Sequence, residues 1–175
     1  IENNYKIIHV VRNPKDIFVS YWNHMKQDPV AISQGIADWN VAFEKCLKGE
    51  VPFGSWFEYV KDMEKVQKSN PNFLLIHYED MHKNPKTVMH KIASFVGRPI
   101  NQELIESIMK ATSFSNMSKN KPDFSKQFTP DGTGFIYRKG VVGDWRNHFT
   151  DEHNKRFQQI FDKEMANTGY KIQYD

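Results

Sequence analysis

One cysteine, Cys46, stands among 175 residues, so no disulfide can close within the chain, and a reducing compartment is expected. No apolar run approaches the roughly 20 residues that span a bilayer, and the sequence does not open on a secretory signal. A soluble, cytoplasmic protein with no membrane partner is the expectation. Neither G-x-x-x-x-G-K-[ST] nor G-x-G-x-x-G occurs, which removes the usual phosphate cradles. The seven histidines fall in no zinc spacing; His77/His82 and His148/His153, each at i,i+5, do not share a helical face. No metal is expected. Charge is nearly balanced, 24 Lys and Arg against 21 Asp and Glu for a net +3. That is too little for sequence-independent binding of nucleic acid and points to a local anion site.

What is present is enough apolar material, 39% hydrophobic with 14% aromatic, to fill the core of one domain. Tyr5 to Val11, "YKIIHVV", is a continuous β-rich run of the kind found in a strand buried on both faces. It stops at Arg12-Asn13-Pro14, where Asn13 can cap a helix and Pro14 occupy its first position, and Ile17, Tyr21 and Met25 continue at helical spacing. Ile36, Trp39, Phe43 and Leu47 mark a second helix; Trp56, Val60 and Met63 mark a third, broken at Asn70-Pro71-Asn72. "FLLIHY", Phe73 to Tyr78, reads as a second buried strand. Helices are expected at Lys86 to Val96, closed by Gly97, and at Asn101 to Ala111. From Ser113 to Tyr137 periodicity fades, and a long loop is expected. A last helix runs from Thr150 through Phe157, Ile160, Phe161 and Met165 to Gly169. Strands separated by helices imply an α/β layered fold with a parallel sheet. With Ile1 rather than methionine set almost against the first strand, the chain reads as the later portion of a longer protein, with much of the sheet upstream.

Two stretches carry chemistry. Arg12 lies where a strand ends and a helix begins, the position at which open α/β sheets bind ligands, and Ser20 follows nearly two turns into that helix. The same spacing also suits Arg12 paired with a carboxylate and Ser20 bonded to its own helix; position alone leaves both open. The second stretch, "GTGFIYRKGVVGDWRNHFT", sets Arg138 and Lys139 between glycine-containing turns. A phosphate monoester carries about two negative charges. Arg12 together with Arg138 and Lys139 would balance it, with the Gly140 amide approaching closely; a solvated surface loop is the other reading. Trp145 is expected to be a core anchor for this loop.

In order along the chain, "RNPKDIFVSY", "GSWFEYV", "YEDMHKNP", "FVGR", "ATSFSNM" and "RKGVVGDWRNHFT" resemble the cytosolic sulfotransferases that use 3′-phosphoadenosine 5′-phosphosulfate (PAPS). The resemblance runs from Ile7 to the last helix, and "RKGxxGDW" is highly specific. It implies a three-layer α/β sandwich around a central parallel sheet, related to the P-loop nucleotide kinases, of which residues 1–175 would be the C-terminal portion of a single domain. It also implies that Arg12, Ser20, Arg138, Lys139 and Gly140 hold the cofactor's 3′-phosphate. Tyr78 would lie at the adenine, and Thr112, Ser113 and Phe114 would line and stack on that base. Ser115, Asn116 and Met117, and Ile136 and Tyr137 ahead of the basic pair, complete the implied set of residues that bind PAPS and its product adenosine 3′,5′-bisphosphate (PAP).

The family's 5′-phosphosulfate loop and catalytic histidine both precede the strand equivalent to Tyr5 to Val11, so the resemblance assigns no catalytic residue here. It implies a small-molecule acceptor, a hydroxyl or amine on a hydrophobic or aromatic body, whose pocket draws on Tyr21 to Met25 and on Pro122 to Phe135. The family's dimer motif K-x-x-x-T-V-x-x-x-E is answered by Arg146, Thr150, Asp151 and Lys155, of which only the threonine is retained; a monomer, or a dimer through another surface, is expected. Readings that compete are a polyanion or RNA-binding module using the same basic and aromatic residues, and an inactive sulfotransferase-like nucleotide binder.

Overall fold

Strand β1 (Ile7–Val11) pairs in parallel with β2 (Phe73–His77), in register from Ile7 opposite Phe73 to Val11 opposite His77. The computed structural model describes residues 5–120, 126 and 136–172. Parallel neighbours need a long crossover, supplied here by α1 (Pro14–Met25), α2 (Pro29–Ser33), α3 (Trp39–Lys48) and α4 (Trp56–Ser69). After β2 come α5 (Tyr78–Lys83), α6 (Pro85–Val96), α7 (Gln102–Thr112), α8 (Phe114–Asn120), a 3₁₀ turn (Asp144–Asn147) and α9 (Asp151–Met165).

Local sequence chemistry sets these boundaries. The Asn13 side chain accepts from the Lys15 amide and Pro14 fills the first helical position of α1, where its missing N–H costs nothing. Asp38 caps α3, Asn101 caps α7, and Thr150 caps α9 in a reciprocal arrangement with His153. Gly97 ends α6 at φ 73°, a left-handed conformation that glycine adopts without steric cost.

Three expectations need correction. The region after Ser113 is not loop throughout, because α8 occupies Phe114–Asn120; the rest of that loop, apart from residue 126 and from 136 onward, lies outside the described residues. Two short helices, α2 and α5, fall below the length at which periodicity reveals a helix. The first strand is not buried on both faces among the described residues: His9 and Val11 are buried, whereas Ile8 and Val10 are 40% and 47% exposed. Side chains alternate along a strand, and His9 packs edge-on to Tyr59 of α4 on the covered side, ring centroids 5.5 Å apart. Burial, and secondarily the nearby His77, holds the His9 pKa below its ordinary value, so this core imidazole is neutral.

The main core gathers around Phe157 of α9, which is fully buried. Its ring meets Phe18 of α1 edge-on at 5.9 Å and Phe161 stacked at 5.8 Å. Trp145 is buried in the same cluster, as an anchor for its loop should be. Replacing Phe157 with alanine is expected to cost about 3–5 kcal/mol, the usual range for a large aromatic removed from a packed core; the midpoint of a urea unfolding curve measures it.

Candidate nucleotide site

Because the two strands are parallel, their C-terminal ends lie at one edge of the sheet, and both lead into the site. β1 passes into Arg12, Asn13 and α1, while β2 passes into Tyr78 and α5. Two buried carboxylates join these turns to distant chain. Glu79 Oε1 accepts from the Asn13 amide at 2.7 Å, fixing the two strand ends to each other. Asp16, in the first turn of α1, accepts from the amides of Gly143 at 2.7 Å and Trp145 at 3.0 Å. A buried carboxylate requires such donors, and the helix N-terminus adds favourable potential.

Asp16 thereby sets the basic segment beside the end of β1. The Arg12 guanidinium lies over the Tyr78 ring, 4.4 Å from its centroid, donates to the Val141 carbonyl at 3.1 Å, and stands 3.8 Å from Asp16. On the facing segment, Arg138 Nη2 and Lys139 Nζ each reach Asp144 at 2.7 Å, and Asn147 donates to the same carboxylate at 2.9 Å. Burial opposes ionisation of Asp144, yet the hydrogen bonds from Lys139, Asn147 and Arg138 more than offset it and hold its pKa far below the usual carboxylate range. Asp144, with Asp16 and Glu79 close by, offsets most of the positive charge of these three cations. The net charge is less than the basic residues alone imply, because the sequence does not show which acids face them.

Arg12, Arg138 and Lys139, with Ser20, Asn23 and Tyr78, surround a cavity of about 200 Å³ that Ile136, Tyr137, Phe114 and Gly140 close. Ser20 is exposed and lines it. A larger, mostly apolar hollow of about 700 Å³ adjoins it, sharing Tyr78, Phe114, Tyr137 and Gly140 and adding Thr112, Ser113 and Met117. A polar, cationic chamber thus opens beside one walled by an aromatic ring and hydroxyls, the division that a phosphorylated nucleoside requires.

Of the residues named from sequence, Ser115 and Asn116 line neither cavity; the Asn116 amide group is turned back to the Ala111 carbonyl at 2.7 Å. Sequence reasoning missed Asn23, Asp16, Glu79 and Asp144. Asn23 stands one turn beyond Ser20, a spacing that would have found it; Asp16 and Glu79 have no local signal for their distant partners, whereas Asp144 follows the basic pair within the same short stretch. No cluster of His, Cys, Asp and Glu suited to a metal occurs among the described residues, and no helix among them is long and apolar enough to cross a membrane.

The Sulfotransferase domain family matches residues 1–169. Sulfotransferase 1C2 of Homo sapiens is 36% identical over 177 residues, 96% of this chain and 57% of its own length. Sulfotransferase 1B1 of Canis lupus familiaris is 37% identical over 172 residues, 95% and 57% respectively. Among solved structures, mouse sulfotransferase SULT7A1 complexed with PAP aligns at TM-score 0.81 and 37% identity, over 95% of this chain and 60% of that one. A retinol dehydratase complex aligns at TM-score 0.83 with 23% identity, over 97% of this chain and 50% of that one, a likeness of fold. The chain therefore belongs to the sulfotransferase family and has its α/β fold, and it spans a little over half the length of the curated relatives it matches.

The depressed pKa of Asp144 sets a pH dependence. A carboxylate whose folded pKa lies below its unfolded value of about 3.9 contributes stability that is full above that value and lost as pH falls toward the folded pKa. Stability should therefore decline as pH drops below about 4, and the decline should be shallower in Asp144→Asn. Urea midpoints collected from pH 5 to pH 2 on both proteins test this.

Proposed function

We propose that this chain is the 3′-phosphonucleotide-binding portion, residues 1–175, of a single sulfotransferase domain that transfers the sulfuryl group of PAPS to a hydroxyl or amine of a small acceptor. The observation that carries this reading is the convergence of Arg12, Arg138 and Lys139 on one small polar cavity that opens directly onto the chamber of Phe114 and Thr112. The fit to PAPS is physical. A 3′-phosphate needs several charged donors, a purine needs an aromatic face and a hydroxyl at its polar edge, and the two chambers share a wall. PAP in the structure of the mouse relative supports the same ligand.

In this reading Arg12, Arg138 and Lys139 neutralise the 3′-phosphate, Ser20 and the Gly140 amide donate to it, and Tyr78, Thr112 and Phe114 orient the base. PAPS supplies the electrophilic sulfur. Transfer joins that sulfur to the acceptor oxygen or nitrogen, breaks its bond to the 5′-phosphate oxygen, sends the acceptor's proton to a base and releases PAP. We assign the base and the 5′-phosphosulfate loop to residues other than these 175. No metal is required of this chain.

A hollow of about 280 Å³ lined by Ile17, Tyr21, Cys46, Phe53, Trp56 and their neighbours supports an aromatic or hydrophobic acceptor. Burial pushes both the Cys46 thiol and the Tyr21 hydroxyl up to about 12, so the walls of that hollow are neutral. The Arg146 guanidinium lies against the Trp145 ring, 4.5 Å from its centroid. That and Lys155 in place of the family's glutamate support a monomer, or a dimer through another surface.

In the complete protein, Arg138→Ala should weaken PAP binding by about 2–5 kcal/mol, the range for one member of a desolvated charge pair, while binding of adenosine 5′-monophosphate changes far less. Titration calorimetry with both nucleotides measures the difference. Equal losses would remove Arg138 from the 3′-phosphate, and an affinity that instead grows with oligonucleotide length and falls steeply with salt would mark a polyanion binder.

A further inference from the structure

Gly140 sits in the basic segment, and its evident use is to let the backbone approach a phosphate. The structure shows a second contact. A Cβ built at this position would fall on the Phe114 ring, within 2.8 Å of both Cγ and Cε2, and the three heavy atoms nearest to it all belong to that ring. Gly140 also has φ 62°. Phe114 is the first residue of α8 and 39% exposed, with Tyr137 edge-on at a centroid distance of 6.3 Å. The ring therefore rests on the glycine Cα on one side and meets Tyr137 on another, and only its remaining surface is left for a base.

We infer that Gly140 is a positioning residue for the base platform, so that the phosphate-binding segment and the adenine-stacking ring are set as one unit. This rests on the nucleotide-binding reading above and goes beyond it by coupling its two halves. Any side chain at 140 must push the Phe114 ring off its seat, since real Cβ atoms do not come within 3 Å of another heavy atom. The ring is the movable partner, because a phenylalanine can rotate about χ1 and a backbone cannot. The displaced ring then loses its alignment with a purine lying over the large cavity. Arg12 reinforces the same unit from the other side, joining the Val141 carbonyl to the face of Tyr78.

The test is a double-mutant cycle in the complete protein, with Gly140→Ala, Phe114→Ala and the pair, each titrated with PAP and with adenosine 5′-monophosphate, which lacks the 3′-phosphate. Gly140→Ala is expected to weaken adenosine 5′-monophosphate by about tenfold, the size of one base-on-aromatic stack. In the Phe114→Ala background the same substitution should cost that ligand almost nothing, because no ring remains to be displaced. The strain of alanine at positive φ is present in both backgrounds and cancels in the cycle. Should Gly140→Ala fail to fold alone, the double variant, with space at 140, is expected to recover a cooperative unfolding transition, which a purely backbone role would not restore. Additive losses, or a Gly140→Ala effect confined to PAP, would overturn the inference while leaving the nucleotide site in place. Absence of PAP binding by the wild-type protein would overturn the site and this inference together.

Discussion

The buried carboxylate of Asp16 is the constraint on which the rest of the site depends. It belongs to the first turn of α1, yet both of its short hydrogen bonds go to amides more than a hundred residues away. That pair acts together with the Arg12 to Val141 bond, the Lys15 ammonium over the Trp145 ring and the burial of Trp145 in the core to hold the basic segment against the strand end. The cost of burying a charge is large, and two backbone donors with a helix N-terminus are what make it tolerable here. The acid therefore belongs to the assembly of the site even though it does not line the cavity.

A second carboxylate solves a different problem. Arg138 and Lys139 are adjacent cations that repel each other and would swing freely in water. Asp144 draws both to one buried point and leaves their remaining donors facing the cavity. An anion arriving there meets groups already ordered, so less conformational entropy is lost on binding. The geometry meets an anion's charge with fixed donors rather than with a diffuse basic patch.

Much of the fold was legible in the sequence because its signals are local. Asn13-Pro14 announced α1, Gly97 closed α6, and the apolar runs gave both strands. The elements missed were too short for periodicity, or, like α8, rich in the Ser and Asn residues that also compose loops. In the site, Arg12, Arg138 and Lys139 were legible because cations at a strand end and beside glycines carry a local meaning. Asp16 and Glu79 were not, since their roles exist only once distant segments meet, and Asp144 pairs with its close neighbours Arg138 and Lys139 only once the intervening glycine turn folds the segment back on itself. Ser115 and Asn116 were drawn in by their neighbours in "ATSFSNM", but the helical turn of α8 points them away from both cavities.

The most direct measurement of this account is nucleotide discrimination in Asp16→Asn, which keeps the shape of the side chain and removes its charge. The ratio of affinities for PAP and adenosine 5′-monophosphate should collapse toward one, and the amides of Gly143 and Trp145 should exchange with solvent faster than in the wild-type protein. An Asp16→Asn protein that still folds and retains the full wild-type ratio would contradict the claim that this buried carboxylate organises the site.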